Sequence, residues 1–231
     1  MILKKILRSG LPFIKKIVDY AERNERLYSF RSYSQEGEDM IVREFFYGKK
    51  NGTFVDVGAH HPCRFSNTYY FYLAGWRGVN IDAMPGSMKA FDILRPDDIN
   101  VEIGIASKDG EMTFSMFNEP ALNTFDDAVA SSRVETTPFK LIDKKIVKTS
   151  PLSLVLEKYL DGRHIDFMTI DVEGLDLVVL QSNDWTRFKP TLILVELLQD
   201  IPLETNPVHT YLSGLGYRNV ARTMRTFFYS L

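Results

Sequence analysis

The chain is poor in the residues that hold disulfide-rich or metal-bound proteins together. It has one cysteine, Cys63, and four histidines in 231 residues, which excludes an internal disulfide framework and a cysteine-based zinc site. Scarce cysteine also favours a reducing, cytoplasmic compartment. The 28 basic side chains nearly balance the 30 acidic ones, so we do not expect nucleic-acid binding through overall positive charge. No run of 18 apolar residues predicts a transmembrane helix.

The first 18 residues differ in charge from the rest. They carry five basic residues and no acidic one, and the basic residues are Lys4, Lys5, Arg8, Lys15 and Lys16. We expect residues 1–32 to form a basic helical arm ahead of a domain that spans residues 33–231. Two hypotheses stay open for the arm: peripheral contact with an anionic membrane surface as a helix broken at Gly10 and Pro12, or packing on the domain or on a partner chain in an oligomer.

From residue 34 onward, strand and helix patterns alternate. Nearly continuous apolar runs predict strands at residues 53–57, 78–82, 99–106, 165–170 and 191–195. Helical patterns separate them, and the helix after Pro85 is expected to bury Met88, Phe91 and Leu94. The alternation predicts an α/β fold whose parallel sheet is covered on both faces. Residues 217–224 and 225–229 predict an antiparallel strand pair at the edge of the sheet.

Residues 107–150 interrupt this alternation. The segment is too long for a plain connection between two elements. Apolar Met112, Phe114 and Met116 alternate with other residues, which predicts a strand or a hairpin. An insertion of this size either shapes the substrate side of a site or serves as a structural flap, and the sequence leaves both open.

Acidic residues stand at or beside the carboxyl ends of four predicted strands. In chain order they are Asp56, Asp82, Asp171, Glu173 and Glu196. Ligands of open parallel sheets bind at these strand ends. A single acid there is often structural, but the set predicts an acidic rim around a binding site.

The loop after the first strand narrows the choice of ligand. Gly58 allows a sharp turn and a close backbone approach, and Asp82 follows 24 residues later, near the spacing at which an acid binds both ribose hydroxyls. Ala59, His60 and His61 replace the glycines that admit a pyrophosphate. A nucleoside without phosphates therefore fits better than a dinucleotide. S-adenosylmethionine is such a ligand, and its cationic groups suit an acidic rim.

The chain resembles the FkbM-type S-adenosylmethionine-dependent methyltransferases over about residues 33–200. The matching segments are, in order, Ser34–Asp39, Phe54–Ala59, Ser66–Thr68, Gly75–Val79, Ile165–Phe167, Ile170–Gly174, and Pro190 with Glu196. The resemblance implies the class I methyltransferase fold, a Rossmann-like, doubly wound, mostly parallel seven-stranded sheet with an antiparallel last pair. It also implies O-methylation, often of a sugar or glycan hydroxyl. The chain departs from the family where His60-His61-Pro62 and Asp82-Ala83 replace the usual Asn-Asp-Gly and Glu-Pro.

The motifs give two sets of candidate residues. The candidates for cofactor binding are Gln35, Asp56, Gly58, Ala59, His60, Asn67, Thr68, Asp82, Ala83, Gly104 and Ile105. Asp82 is the expected ribose acceptor. Structural roles stay open for Asp56 in its loop, for Asn67 and Thr68 as helix caps, and for Gly104 and Ile105 in the core.

Methylation of an alcohol also needs a base that takes its proton. The candidates are Asp171, Glu173, Glu196 and His61, and Asp171 ranks first because it follows the central fourth strand. Glu173 and Glu196 could instead bind acceptor hydroxyls or a divalent ion, and we assign no metal ligand. Two other functions stay open: a non-catalytic Rossmann-like binding module, and a nicotinamide-dependent oxidoreductase, which would need a glycine loop that tolerates pyrophosphate.

Overall fold

A computed structural model describes residues 12–197 and 201–231 of the chain, which divides into two compact units after Ser32. In the first unit the described residues form helix α1, Pro12–Tyr28. The part of the predicted basic arm that precedes Pro12, including the expected break at Gly10, lies outside the described residues. Among the helices of the described part, none is both long and apolar enough to span a membrane.

The second unit alternates strands and helices. Its strands are β1 (Thr53–Val57), β2 (Arg77–Asp82), β3 (Ile99–Glu102), β4 (Gly104–Ile105), β5 (Gly110–Phe117), β6 (Leu141–Ser150), β7 (Phe167–Ile170), β8 (Leu192–Glu196), β9 (Arg218–Arg222) and β10 (Thr226–Ser230). Its helices are α2 (Glu38–Phe45), α3 (Tyr69–Leu73), α4 (Met88–Leu94), α5 (Asp127–Thr136), α6 (Leu152–Tyr159), α7 (Asp176–Gln181) and α8 (Pro207–Gly214). Short 3-10 turns cover Pro120–Leu122 and Leu203–Thr205.

Seven strands form one sheet in the order β3-β2-β1-β7-β8-β10-β9. Within this sheet β3, β2, β1, β7 and β8 run parallel to one another. Strand β10 runs antiparallel to both of its neighbours, β8 and β9. This confirms the predicted class I methyltransferase fold. The chain adds β2 and β3 on one side of β1 and returns to add β7 on the other side. The carboxyl ends of β1 and β7 therefore meet at the point where the strand order reverses, and this is where ligands of such sheets bind.

The strand predicted over residues 99–106 is wrong in its extent. The chain leaves the main sheet after Glu102, and β4 pairs with β6 in a separate three-stranded sheet of order β4-β6-β5. At Gly104 the ring of Phe125 packs directly on the backbone, at 2.6 Å from where a Cβ would stand, so only glycine fits there. The predicted strand is confirmed as β5, whose antiparallel partner is β6. A 3-10 turn and α5 lie between the two strands, so they do not form a simple hairpin.

The hydrophobic core lies on both faces of the main sheet. One face packs Val57, Ile81 and Ile170 against α6, α7 and α8, and the other forms a smaller aromatic cluster around Trp76 and Phe167. These two layers hold the strand ends in a rigid row.

The expected burial of Leu94 is wrong, since its side chain is 48% exposed. Helix α4 buries Met88 and Phe91, but it ends at Leu94. The inward position after the helix end is taken by Arg95, which is completely buried.

Candidate active site

A cleft of about 900 Å³, including its open mouth, lies at the carboxyl ends of β1, β2 and β7. Nine of the residues singled out in the sequence line it: Gln35, Gly58, His60, Asp82, Ala83, Gly104, Ile105, Asp171 and Glu173. Their presence in one cleft follows from the sheet order, because the loops after β1, β2 and β7 leave neighbouring strands at the same edge.

Gly58 lies where the loops after β1 and β7 contact each other. Its φ is +84°, and a Cβ there would overlap the carbonyl oxygen of Asp171. The amide of Asp171 in turn donates to the carbonyl oxygen of Val57 at 3.0 Å. The sequence predicted a close approach of this glycine to a ligand, but the close approach that the structure shows is to the backbone of the β7 loop. The glycine therefore sets the floor of the cleft.

Asp82 fixes the loops on both sides of itself. One carboxylate oxygen accepts the backbone N–H of His60 and the other accepts that of Met84, each at 2.8 Å. Burial raises the pKa of Asp82, and these backbone hydrogen bonds oppose the shift. Each carboxylate oxygen can accept a second hydrogen bond, so the residue can still bind ribose hydroxyls.

His60 presents a buried nitrogen with no partner. Its backbone adopts φ +52°, its ring stacks on Phe65 with 6.4 Å between the ring centroids, and within the described residues its Nε2 has no hydrogen-bond partner. Burial lowers the pKa of the imidazole, with Arg64 and His61 adding to the effect, which favours the neutral ring. A buried polar atom without a partner at the wall of a cleft is one that a bound ligand would satisfy.

Another part of the cleft wall is apolar, and the insertion contributes its aromatic side chains. Phe114 and Phe125, with 4.6 Å between their ring centroids, line the cleft together with Met84, Ile103 and Ile105. The alternation in β5 indicated that Phe114 shares a face with Met112 and Met116, but no sequence pattern pointed to Phe125. The wall offers a broad apolar surface of the kind on which a purine ring packs.

Three carboxylates converge at the ends of β7 and β8, where the cleft adjoins a smaller cavity. Asp171, Glu173 and Glu196 each have an oxygen within 4.8 Å of one on each of the other two, a spacing that would also suit a divalent cation. The surrounding protein is the largest cause that raises the pKa of Asp171 well above its ordinary value, and the negative charges of Glu196 and Glu173 come next. The Asp171 side chain nevertheless stays exposed to solvent. Burial raises the pKa of Glu173 to about 7, against the lowering effect of Arg133. The cluster can therefore hold or release a proton near neutral pH.

Asp56 and Thr68 point away from the cleft into a buried polar network. The hydroxyl of Thr68 donates to Asp56 at 2.6 Å and accepts from Arg95 at 2.9 Å, and Arg95 pairs with Asp98. Burial raises the pKa of Asp56 to about 6. Side chains alternate along β1, so Asp56 lies on the same face as Phe54 and not at the rim. This arrangement gives both residues a structural role, although the Thr68 side chain makes no capping hydrogen bond to α3.

The other sequence candidates lie at or beyond the edges of the cleft. Ala59 packs on Met88 and Phe91. Nδ1 of His61 accepts the backbone N–H groups of Cys63 and Arg64, at 3.0 and 2.9 Å, and so fixes a turn. Two candidates reach a smaller adjoining cavity that Gln35 and Asp171 also line; they are Asn67, which donates to the Thr169 hydroxyl at 2.9 Å, and Glu196.

The clustered carboxyl groups predict a stability that falls as pH rises. Because the folded-state pKa values of Asp171, Glu173 and Asp176 are raised, the folded chain binds protons more tightly than the unfolded chain. Their contribution to the free energy of unfolding is full below about pH 4 and declines up to about pH 7. We expect Asp171→Asn to flatten this decline and to gain up to about 1 kcal/mol over the wild type at pH 8, since solvent in the cleft screens part of the repulsion.

Urea unfolding of both proteins at pH 5.5 and pH 8 measures this difference. Glu157→Gln is the matched control, because Glu157 pairs with Arg187 on the exposed surface. An Asp171→Asn gain that is equal at the two pH values would contradict the predicted repulsion.

A sequence model described as the methyltransferase FkbM domain matches residues 56–219, well over half of the chain. The matched range begins at Asp56, near the end of β1, and includes β2, β7 and β8 and all of the insertion. Searches of curated proteins and of solved structures gave no match.

Proposed function

This chain belongs to the FkbM methyltransferase family, and from that premise we propose that it transfers a methyl group from S-adenosylmethionine to a hydroxyl group of a sugar or glycan precursor. The observation that carries the proposal is the placement of Gly58, Asp82 and Asp171 around a single cleft at the reversal point of the sheet. The assignments of individual residues below belong to the same proposal.

The residues of the cleft fit S-adenosylmethionine. Asp82 offers hydrogen-bond acceptor positions at the end of β2. The Nε2 atom of His60 has no hydrogen-bond partner among the described residues and would form a polar contact with the ligand. The wall around Phe125 is apolar. Asp171 and its neighbours supply negative charge suited to a cationic cofactor. When bound, this cofactor would supply an electrophilic methyl group. The His60 side chain stands where a nicotinamide dinucleotide would need glycine and space for a pyrophosphate, which disfavours an oxidoreductase.

The chain would contribute positioning and proton transfer. Asp82 would hold ribose hydroxyls, and Gly104 and Ile105 would bound the adenine side of the cleft. Asp171 would accept the proton of the acceptor hydroxyl, since its raised pKa lies closer to the operating pH than that of an ordinary aspartate. Alignment of the acceptor oxygen by the surrounding side chains would supply much of the rate.

Asp82→Asn tests the cofactor site. We expect its affinity for S-adenosylhomocysteine, the demethylated product, to fall about 10- to 100-fold, because a charge-assisted hydrogen bond to the ribose is lost and one backbone N–H meets an amide donor instead of an acceptor. Isothermal titration calorimetry measures the change. Asp97→Asn is the control, since Asp97 pairs with Arg77 at the exposed surface. Unchanged affinity in Asp82→Asn would exclude the residue as ribose acceptor, and no binding to the wild type would remove the proposed function.

A transfer assay with labelled S-adenosylmethionine tests the acceptor class. The acceptors offered are free sugars, sugar nucleotides and lipid-linked glycans. We expect transfer to at least one hydroxyl-bearing acceptor, with loss of about 100-fold or more in Asp171→Asn if it is the base. Cofactor binding without transfer to any of them would favour the non-catalytic module.

A further inference from the structure

Arg133 reaches the acidic cluster from the insertion. It lies on α5, and its guanidinium donates to the carboxylate of Glu173 and, at 2.6 Å, to the carbonyl oxygen of Leu122. Only 15% of the Arg133 side chain and 21% of that of Glu173 are exposed. This ion pair is therefore partly removed from water, where its electrostatic attraction is stronger than at an open surface.

The insertion also holds the backbone of Glu173. The residue has φ +56°, a conformation that non-glycine residues adopt only when their surroundings impose it. Its carbonyl oxygen accepts the hydroxyl of Thr124 at 2.8 Å, and the next residue, Gly174, lies against Val129 at the start of α5. Side chain and backbone are thus both tied to the same segment.

The other charges that face Glu173 are negative. Asp171 precedes it in the same loop, Glu196 ends β8, and Asp176 begins α7. Among the described residues, Arg133 is the cation that pairs with Glu173. Without it, burial and three neighbouring acids would all favour the protonated form of Glu173.

We propose that Arg133 is a positioning residue that favours the ionised form of Glu173 and orients its carboxylate at the edge of the cleft, and so makes the insertion part of the catalytic apparatus. The inference rests on the proposed function, which makes the cleft an active site, but the ionisation of Glu173 can be measured without any ligand. In this proposal residues 107–150 position an acidic side chain on the substrate side of the cleft.

The first test is the titration of Glu173 itself. Carbon-13 NMR of labelled glutamate carboxyls, with Glu173→Gln used to assign the signal, follows the protein from pH 5 to pH 9. We expect Arg133→Met to move the midpoint of Glu173 upward by about one pH unit or more, and Arg133→Lys to leave it near the wild-type value. Lys144→Met is the matched control, because it removes a cation from the same insertion whose partner, Asp127, is exposed.

The second test uses two ligands that differ in charge at the reacting position. Sinefungin carries an ammonium group where the cofactor carries its methyl group, and S-adenosylhomocysteine carries no charge there. We expect sinefungin to bind more tightly to the wild type, with an advantage that falls as pH drops through the Glu173 midpoint. In Arg133→Met this fall should begin about one pH unit higher.

The outcomes separate this inference from the proposed function. If the wild type binds neither ligand, the proposed function fails, and the titration of Glu173 still decides the role of Arg133. If Glu173 titrates alike in the wild type and Arg133→Met, the inference is wrong. Should Arg133→Met not fold, Arg133→Gln, which keeps a donor for the Leu122 carbonyl, carries the same tests.

Discussion

Gly58→Ala is expected to lower the free energy of unfolding by roughly 2–5 kcal/mol and to abolish measurable cofactor binding. Two separate costs add up. An alanine held at φ +84° costs about 1–2 kcal/mol, and its Cβ would overlap the carbonyl oxygen of Asp171, which forces the β1 and β7 loops apart at a further cost of about 1–3 kcal/mol. Since those loops carry His60 and Asp171, their separation would open the floor of the cleft.

Gly216→Ala is the matched control for this substitution. Gly216 has φ +91°, and no atom lies within 4 Å of a Cβ placed there. It should therefore lose only the conformational cost, about 1–2 kcal/mol, and keep its affinity for S-adenosylhomocysteine. Urea unfolding and calorimetry measure both quantities. Equal losses of stability in the two variants would show that the overlap with Asp171 does not affect the free energy of unfolding.

Arg95→Met is expected to lower the free energy of unfolding by about 3–5 kcal/mol. The guanidinium is fully buried, pairs with Asp98 and donates to the Thr68 hydroxyl. Its loss leaves Asp98 buried without a counter-ion, and it removes the charge that lowers the pKa of Asp56. Asp56 would then favour its protonated form more strongly in the folded state, so the deficit should be larger at pH 8 than at pH 5.5.

Urea unfolding at these two pH values tests the prediction, with Arg187→Met as control. Arg187 pairs with Glu157 and both side chains are about half exposed, so its loss should cost less than about 1 kcal/mol. If Arg95→Met cost no more than Arg187→Met, the network would not stabilise the β1 region. The structural interpretation of Asp56 and Thr68 would then lose its main support.

The acids of the rim show how far sequence reasoning reaches. Asp82, Asp171 and Glu173 could be placed together because position at the carboxyl end of a parallel strand is a local property. Asp56 could not be judged in this way. It stands one residue from the end of β1, and the alternation of side chains turns it to the buried face. Which acids reach the cleft depends on the exact residue at which each strand ends.

The insertion marks the opposite limit. Its length and the alternation of Met112, Phe114 and Met116 were enough to predict an added strand or hairpin. Nothing local indicated that Phe125 would cover Gly104 or that Arg133 would meet Glu173, 40 positions further along the chain. Such contacts depend on how the whole segment folds back over the strand ends.

The sequence by itself determined the layered α/β architecture and the row of acids, because apolar periodicity and strand-end position are written in neighbouring residues. Only the tertiary structure decided which of those acids share a cleft, what closes the apolar wall, and which cation balances Glu173. Those relations join segments far apart in the chain, and they exist only once the two sheets are packed together.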